Sequence, residues 1–598
     1  MVEDVGSPEI GDTCVVVDLL REDERKFRIM LDCGLLSETV EDGKLKYDTK
    51  KMERRYELLE EGVDAIVLSH AHMDHSNGLP FLFWFWETNL KTRGVEFPRI
   101  ITHRYTQELF ERMQISFFEL PPEKDWAESK HKAAPFIARM RRYFHGHFEN
   151  SEESIEKGDY ECRIKIMNAG HIVGSSMAEI KFLFQEKLLG RVLYTGDFCP
   201  RDASFLVEPC RYQMLQKKYD AIILENTYLM NAKKKAKRKE IKQHIKKLMD
   251  EVLRDGNLIF VCYGIDRIQN VLVCLQEIMD CDEYWAETLV ERNTRGEPLI
   301  YLDTAIGEEV SSLDKEFMER VARNPDLYET FFRRELRNRA LNGKRLFEIK
   351  EHVMYTFVNG TRARARVIRE HRAGLEGKHC IVLCTSAFLT KGSPVNAYLR
   401  FWGDDDRNVF VLAGYPISER AKKLFLKKEE IDLGYWWYFE DEREARYVED
   451  GSFAPRGNNF LTIDDLSAHA DGVDLQGFIG FMRRRTGLFV HTHIGEDPWK
   501  AEVYLMSRFG KKHVVLTDEK VVDGRKRAIK IELKPTEEYI AMEPAVMKKI
   551  AIYARRYGTQ SFDSSEMVNR TLKRVFADFD YLYKQRDNAK IIESRCSN

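Results

Sequence analysis

The sequence predicts an α/β protein of more than one domain, and three observations carry that reading. The chain has 598 residues, which at roughly 150 residues per domain is two to four cores rather than one. Hydrophobic residues make up 43% and aromatic residues 11%, with only 16 Pro and 35 Gly. That composition can bury a sizeable interior and excludes collagenous, linker-like and wholly disordered chains. Short apolar runs of strand length alternate with longer charged segments of helical period, the rhythm of a sheet covered by helices.

In the first third, Cys14 to Leu20, Phe27 to Asp32, Ala65 to Ser69, Ile164 to Asn168 and Arg191 to Thr195 read as strands, because apolar and β-branched residues dominate each run. Between Phe117 and Gly158 the chain turns polar, with Pro121 and Pro122 at its start, and an insertion or lid is expected there rather than sheet. From Tyr219 the order is a strand (Ala221 to Leu224), a charged helix (Lys233 to Arg254), a strand (Leu258 to Cys262) and a helix beginning near Arg267. Leu299 to Leu302, Cys380 to Cys384 and Val409 to Ala413 continue the alternation, which implies parallel βαβ units. Gly414 and Tyr415 then lead into short strands, and the last stretch, from about Pro535 to Asn598, is charged and helix-forming.

The 95 Lys and Arg nearly cancel the 98 Asp and Glu, for a net charge of -3, so any nucleic-acid contact must use local basic patches. Leu79 to Trp86 is the longest conspicuous apolar run, far short of the roughly 20 residues a membrane span needs, and no membrane partner is expected. Met1, Val2, Glu3 and Asp4 lack the basic and apolar regions of a secretory signal. The 11 cysteines are scattered, several within apolar runs, and read as reduced thiols of a cytoplasmic protein.

The strongest chemical signal is His70-Ala71-His72-Met73-Asp74-His75, directly after the apolar strand Ala65 to Ser69. Three imidazoles and a carboxylate within six residues can feed two adjacent metal ions, with His70 and His72 on one side and Asp74 and His75 turned toward a second. Further ligands are expected from other strand ends, and two occur: His171 in Asn168-Ala169-Gly170-His171 and Asp197 in Tyr194-Thr195-Gly196-Asp197. Alone, each is a common structural turn; with the cluster they place donors from separate strands on one rim.

These motifs, with Asp32 in Leu31-Asp32-Cys33-Gly34, resemble the ordered strand-end motifs of the metallo-β-lactamase fold. The resemblance implies an αββα sandwich in which Asp32 supports the metals from beneath. It further implies one zinc on His70, His72, His171 and Asp197, and a second on Asp74, His75, a bridging Asp197 and a late histidine. The middle of the chain carries Leu224-Glu225-Asn226-Thr227-Tyr228, then Tyr263-Gly264-Ile265-Asp266-Arg267-Ile268-Gln269, then Ser386-Ala387-Phe388-Leu389-Thr390-Lys391-Gly392-Ser393-Pro394, then Gly414-Tyr415. This order resembles the β-CASP nucleases, the group of RNase J and the mRNA 3′-end endonuclease. Asp266, Ala387, Phe388 and Ser393 depart from the family's glycine-rich pattern. Domain limits follow as residues 1–208 and 414–534 for the two parts of a metallo-β-lactamase domain, 209–413 for an inserted parallel-sheet β-CASP domain, and 535–598 for the tail.

The resemblance implies a two-zinc ribonuclease, with manganese as a substitute ion, leaving a 5′-phosphate and a 3′-hydroxyl. His469, in Leu466-Ser467-Ala468-His469-Ala470-Asp471, is expected to protonate the leaving ribose oxygen with Glu225 orienting it, and Asp74 to be essential for catalysis. His491, at the end of the strand Leu488 to Val490, is favoured over His493 as the last metal ligand. Histidine there, where DNA-processing relatives carry valine, favours single-stranded RNA over DNA; a DNA nuclease and a non-catalytic scaffold subunit are the alternatives. Arg267, Ser386 and Lys391 are the candidate phosphate-binding residues. The lysine run Lys233 to Lys247 and the arginines 362, 364, 366, 369 and 372 read as solvated helix faces, Tyr228 and Tyr415 as interface packing, and His145 and His147 as exposed loop residues. A homodimer or a protein partner is assigned to the tail.

Overall fold

The computed structural model describes residues 2–4, 12–22, 24–35, 37–39, 45–47, 52–117, 135–148, 150–229, 235–291, 297–324, 332–371, 379–455, 457, 459–466, 468–495, 501, 504–505 and 513–515. The charged tail lies outside them.

Two sheets stack face to face. The first has six strands in the order Val2–Asp4, Val15–Arg21, Glu24–Leu31, Ala65–Leu68, Arg99–His103 and Phe144–His147. The second has seven, in the order His513–Val515, Thr486–Ile494, Tyr219–Asn226, Lys187–Tyr194, Ser176–Phe184, Tyr160–Asn168 and Glu152–Lys157. Val15, Val17, Phe27, Ile29 and Leu31 from the first sheet interleave with Ile164, Ile166, Ile180, Val192, Ile223 and Val490 from the second in one buried layer. Each such side chain contributes roughly 1.5–3 kcal/mol by leaving water. The outer face of the second sheet is covered by the helix Gly472–Met482, through Leu475, Phe478 and Ile479 against Ile222, Leu224 and Phe489. Helices cover the outer face of the first sheet as well, so the expected αββα sandwich is present.

The third sheet is parallel throughout: Thr356–Phe357, Ile300–Asp303, Ile381–Cys384, Leu258–Cys262, Val409–Ala413 and Phe460–Thr462. Its strands read as continuous apolar runs because both faces are buried. Leu258, Phe260 and Cys262 face the helices Arg238–Val252, Arg267–Met279 and Ala305–Arg323, while Ile259 and Val261 face Gly360–Glu370 and Pro394–Trp402. The helix Ala305–Arg323 also packs on Arg104–Phe117 of the sandwich, with Tyr105 and Phe317 rings 4.9 Å apart, Arg112 on Glu316 at 2.6 Å and Arg320 on Glu108 at 2.9 Å.

Strand pairing corrects three expectations. Tyr219–Asn226, assigned by its position to the inserted domain, pairs with Lys187–Tyr194 and Thr486–Ile494 in the sandwich. Phe460–Thr462, assigned beyond that domain, pairs with Val409–Ala413 inside it. The insert thus runs from just after Asn226 to about Leu466, rather than from 209 to 413. Part of the polar 117–158 segment is sheet: Phe144–His147 and Glu152–Lys157 are edge strands, one in each layer of the sandwich. Their polar faces are those of edges, which lack an apolar neighbour on one side. His145 and His147 therefore sit on a strand, each with a ring nitrogen 3.2 Å from Glu153.

Candidate metal centre

Every element that carries a candidate ligand ends at one rim of the sandwich. The strand Ala65–Leu68 delivers His70 and His72 before a short helix, Met73–Ser76, turns Asp74 and His75 inward. His171 follows Tyr160–Asn168, and Asp197 follows Lys187–Tyr194. Glycine is required before each of the latter two. Gly170 and Gly196 have φ of +74° and +50°, and a Cβ would lie 2.5 Å from the Cys199 carbonyl in the first and 2.6 Å from Ser69 Cβ in the second. Only glycine fits both the left-handed backbone and the close approach.

The ligand atoms of His70, His72, His171 and Asp197 lie within 4.8 Å of one another, as do those of Asp74, His75 and His493, and those of Asp197, Glu225, His469 and His493. His70 Nε2 is 2.9 Å and His171 Nε2 3.1 Å from His72 Nδ1, and each Nε2 is 3.6 Å from Asp197 Oδ2. A tetrahedron with zinc–nitrogen arms of about 2.0–2.1 Å has edges of roughly 3.3 Å, so this spacing suits one such ion. A cation between these nitrogens would take all of them as lone-pair donors.

The surrounding hydrogen bonds set each tautomer so that the right nitrogen is free. His70 Nδ1 donates to Ser69 Oγ at 3.0 Å, His75 Nδ1 to Asp32 Oδ2 at 2.6 Å, His171 Nδ1 to the Ala468 carbonyl at 2.9 Å and His493 Nδ1 to Thr227 Oγ1 at 2.9 Å. In each ring Nε2 is left as the lone-pair donor. Asp32, buried and at φ +58°, also accepts from Ser69 N and Oγ and from Tyr194 Oη at 2.5 Å. It holds His75 without joining the ligand set.

Electrostatics favour cations here. Burial, reinforced by the crowded imidazoles, holds His70 and His171 well below the usual histidine range, and burial lowers His72 to about 4; these rings are neutral donors. Burial alone would raise Asp197, yet His493, His75 and His469 hold it well below the usual carboxylate range. Burial opposes a charge on His75, but Asp197, Asp74 and Asp32 outweigh it and push His75 well up. His75 Nε2 and Asp197 Oδ1 are buried with no hydrogen-bond partner among the described residues. Four carboxylates, two orphaned atoms and converging ring nitrogens fit divalent metal, which His70, His72, His171 and Asp197 could hold on one side and Asp74, His75 and His493 on the other.

The last histidine is a correction. His491 is buried on the outer face of its sheet, where Nε2 meets His513 Nδ1 at 2.9 Å and Nδ1 meets the Asn226 amide. His493 instead reaches the cluster, with Nε2 3.2 Å from Asp74 Oδ2 and Nδ1 3.6 Å from Asp197 Oδ1. Strict alternation would put the two histidines on one face. The pairing of Tyr219–Asn226 with Thr486–Ile494 slips at Glu225/Asn226, and His493 takes φ +52°, a bulge that re-aims one side chain.

Glu225 and His469 are in direct contact. His469 Nδ1 donates to Glu225 Oε2 at 2.9 Å, and Glu225 also accepts from Phe198 N at 2.7 Å and Thr227 Oγ1 at 2.6 Å. Thr227 thus ties the Glu225–His469 pair to His493, a link the sequence reading did not anticipate although Thr227 sits in the Glu225 motif. Arg267 is buried, bonded to Asp266, and near enough to depress His72 and His171 further. Ser386 Oγ accepts from Phe388 N at 3.2 Å, and Lys391 faces Glu449 at 3.9 Å; neither has a contact with the cluster. The basic runs are largely paired: Arg238 and Lys242 with Glu277, Arg369 with Glu440, and Arg364, which is buried, bidentate with Asp303. Arg372 and residues 230–234 lie outside the described residues.

No family model matches the chain. Transcription termination factor FttA of Methanocaldococcus jannaschii is 24% identical over 419 residues, covering 69% of this chain and 55% of that protein. Probable RNase MJ4 of the same organism is 24% identical over 434 residues, covering 71% of this chain and 82% of that protein. Integrator complex subunit 11 of Gallus gallus is 21% identical over 491 residues, covering 81% of this chain and 67% of that protein. The match spans 55%, 63% and 55% of the termination factors from M. jannaschii, Methanothermobacter thermautotrophicus and Methanococcus maripaludis. Among solved structures, a long-form RNase Z from yeast aligns at 15% identity over 41% of this chain and 34% of that one, with a TM-score of 0.25. Strand-end motifs in family order, their meeting at one rim and a parallel-sheet insert, beside these sequence relatives, make the chain similar to the β-CASP nucleases of the metallo-β-lactamase fold.

Proposed function

We propose that this protein is a zinc-dependent ribonuclease that hydrolyses phosphodiester bonds of single-stranded RNA to 5′-phosphate and 3′-hydroxyl ends, in RNA processing or decay. The observation that carries the reading is the pairing of a double metal-ligand cluster with His469 and Glu225 at its edge. Two divalent ions held there would supply Lewis-acid activation of water and neutralise the phosphodiester oxygens.

The chain's own groups do the rest. His469 keeps its Nδ1–H on Glu225, so Nε2 is the atom that delivers a proton to the leaving ribose oxygen. Phe198 N–H and Thr227 Oγ1 fix Glu225, and the Ala468 carbonyl ties the His469 loop to His171. Asp74, 3.2 Å from His493 Nε2 and beside His75, is kept anionic despite burial. Arg267 at the carboxyl end of the third sheet is positioned to attract the phosphate backbone, where ligands of open parallel sheets bind; Ser386 and Lys391, in the next such loop, are the weaker substrate contacts. The names of the relatives, a probable RNase among them, support RNA as substrate, and Integrator complex subunit 11, named as part of a complex, supports a protein partner. Among the described residues no helix is long and apolar enough to cross a membrane, and ten described cysteines are free thiols, which supports a reducing, cytoplasmic setting.

The experiment is metal analysis of the purified protein followed by incubation with 5′-labelled RNA and a matched DNA, with Asp74→Ala as control. About two zinc ions per chain, RNA cleavage, and its loss in the variant are expected. Preferential cutting of the DNA would transfer the activity to the other polymer, and failure to take up metal when zinc is supplied would remove the reading altogether.

A further inference from the structure

The lysine run that the sequence presents as a solvated helix face contains one lysine that is not solvated. Lys235 is 4% exposed, and its ammonium has no hydrogen-bond partner among the described residues. It lies 3.7 Å from the centre of the Tyr228 ring, and that ring stands edge-on to His469 at 5.9 Å. The backbone fixes the lysine beside the His469 loop: Lys235 N donates to Asp471 Oδ2 at 3.2 Å, Ala236 N to Asp465 Oδ1 at 2.6 Å, and Arg201 donates to the Ala236 carbonyl at 2.9 Å.

Three unspent donors on a buried ammonium are unfavourable unless something arrives to accept them. The neighbouring cations have carboxylates of their own, Asp266 bonded to Arg267 and Asp474 at 3.9 Å from Arg201. Asp464 favours the charge on Lys235 without bonding to it. Burial, assisted by Arg201 and Arg267, lowers Lys235 to about 8, so it remains mostly cationic at neutral pH. Ammonium and imidazole are separated by one aromatic ring, that of Tyr228.

We propose that Lys235 is a substrate-binding residue whose ammonium takes the phosphate next to the scissile one, on the His469 side of the cut, with Tyr228 as the wall between the two positions. This deepens the nuclease reading and rests on it. The pairing is ionic and makes no or little demand on base identity, so it serves affinity for the strand rather than sequence choice.

The test compares full-length wild type with Lys235→Met, which keeps the length of the side chain, and Lys235→Arg, which keeps its charge. Affinity for a labelled single-stranded RNA is read by fluorescence anisotropy in the presence of chelator, and kcat and KM by cleavage once zinc is restored. Lys235→Met is expected to bind roughly tenfold more weakly, with a slope of log affinity against log salt shallower by about 0.7 and a raised KM at little-changed kcat. Lys235→Arg should recover the slope. A neutral methylphosphonate moved along the RNA should weaken wild type at one linkage beside the cut and leave Lys235→Met unaffected there, the coupling expected of two groups in contact. If Lys235→Met fails to fold, Lys235→Gln with the same scan replaces it. Unchanged affinity and slope in the folded variant, or a fall in kcat alone, would make Lys235 a packing group beneath Tyr228 and overturn the proposal. Wild type that neither binds nor cuts RNA overturns the nuclease reading together with this one, whereas wild type that cuts RNA while Lys235→Met binds it equally well overturns this one alone.

Discussion

Asp32 Oδ2 lies 2.6 Å from His75 Nδ1, and the same carboxylate takes hydrogen bonds from Ser69 and Tyr194. Asp32 is fully buried, and among its partners the imidazole of His75 is the one it holds in a single tautomer. Removing such an outer partner typically costs 10–100-fold in metal affinity or activity, on the order seen across metal sites. Asp32→Asn is therefore expected to lower zinc affinity by that order while leaving the protein folded, measured by competition with a chromophoric chelator. Equal affinity in the two proteins would mean that the bond to His75 does not matter to metal binding.

His491 and His493 make opposite predictions although only Thr492 separates them. His493→Ala should leave the His70, His72, His171 and Asp197 group intact and weaken the other, so that zinc per chain falls toward one. His491→Ala should keep both ions but remove the partner of the buried Asn226 amide, destabilising the fold by about 1–3 kcal/mol. Metal analysis and thermal melting of the two variants, side by side, decide it; loss of metal in His491→Ala would return the ligand role to that residue.

How far the site could be read from sequence depends on the range of the interaction that places each residue. His70, His72, Asp74 and His75 are close in sequence, and His171 and Asp197 each follow an apolar run by a glycine turn, so local pattern sufficed. Strand-length apolar runs likewise pointed to a strand-rich first domain and to the parallel sheet, while the sandwich followed from the order of the strand-end motifs. The choice between His491 and His493 depends on a register slip against Tyr219–Asn226, a non-local pairing with no local signal. The edge strands Phe144–His147 and Glu152–Lys157 were missed because an edge needs little apolar alternation. Thr227 and Lys235 stand in segments singled out for other reasons, the one in the Glu225 motif and the other in a lysine run, and only the fold shows what their side chains face.

Glu225, held by Phe198 N–H and Thr227 Oγ1, carries His469 on its second oxygen. If that carboxylate orients a leaving-group acid, Glu225→Gln should reduce kcat by roughly 10²–10⁴-fold with zinc content unchanged. Thr227→Val should lose less, since the Phe198 bond survives. The informative substrate is one whose leaving group needs no proton, such as an RNA with a bridging 3′-phosphorothiolate: both variants should approach wild-type rates on it. An equal loss on the two substrates would assign the pair to structure rather than to proton delivery.

Tyr105 Oη donates to Asp314 Oδ1 at 2.6 Å, joining the sandwich helix Arg104–Phe117 to the insert helix Ala305–Arg323 across the buried interface. Burial pushes Asp314 up to about 8 from an ordinary 3.8, with Asp266 adding to the rise and the Tyr105 bond and Arg112 opposing it. Asp314 Oδ2, buried without a hydrogen-bond partner among the described residues, is where the proton resides at neutral pH. The folded protein thus keeps a proton that the unfolded chain releases. The stability from this group is complete below about pH 3.8 and is lost as pH rises to about 8, at about 1.4 kcal/mol per pH unit while the two states differ by a full proton. Asp314→Asn, which cannot ionise, should flatten that part of the profile and gain on wild type toward pH 8. Melting temperatures of the two proteins from pH 5 to pH 8 provide the measurement, and parallel curves would mean that Asp314 is ionised in the fold. Because this bond ties together the two domains that flank the metal centre, the same pH interval should loosen the insert first, seen as hydrogen exchange rising in Ala305–Arg323 before it rises in the sandwich strands.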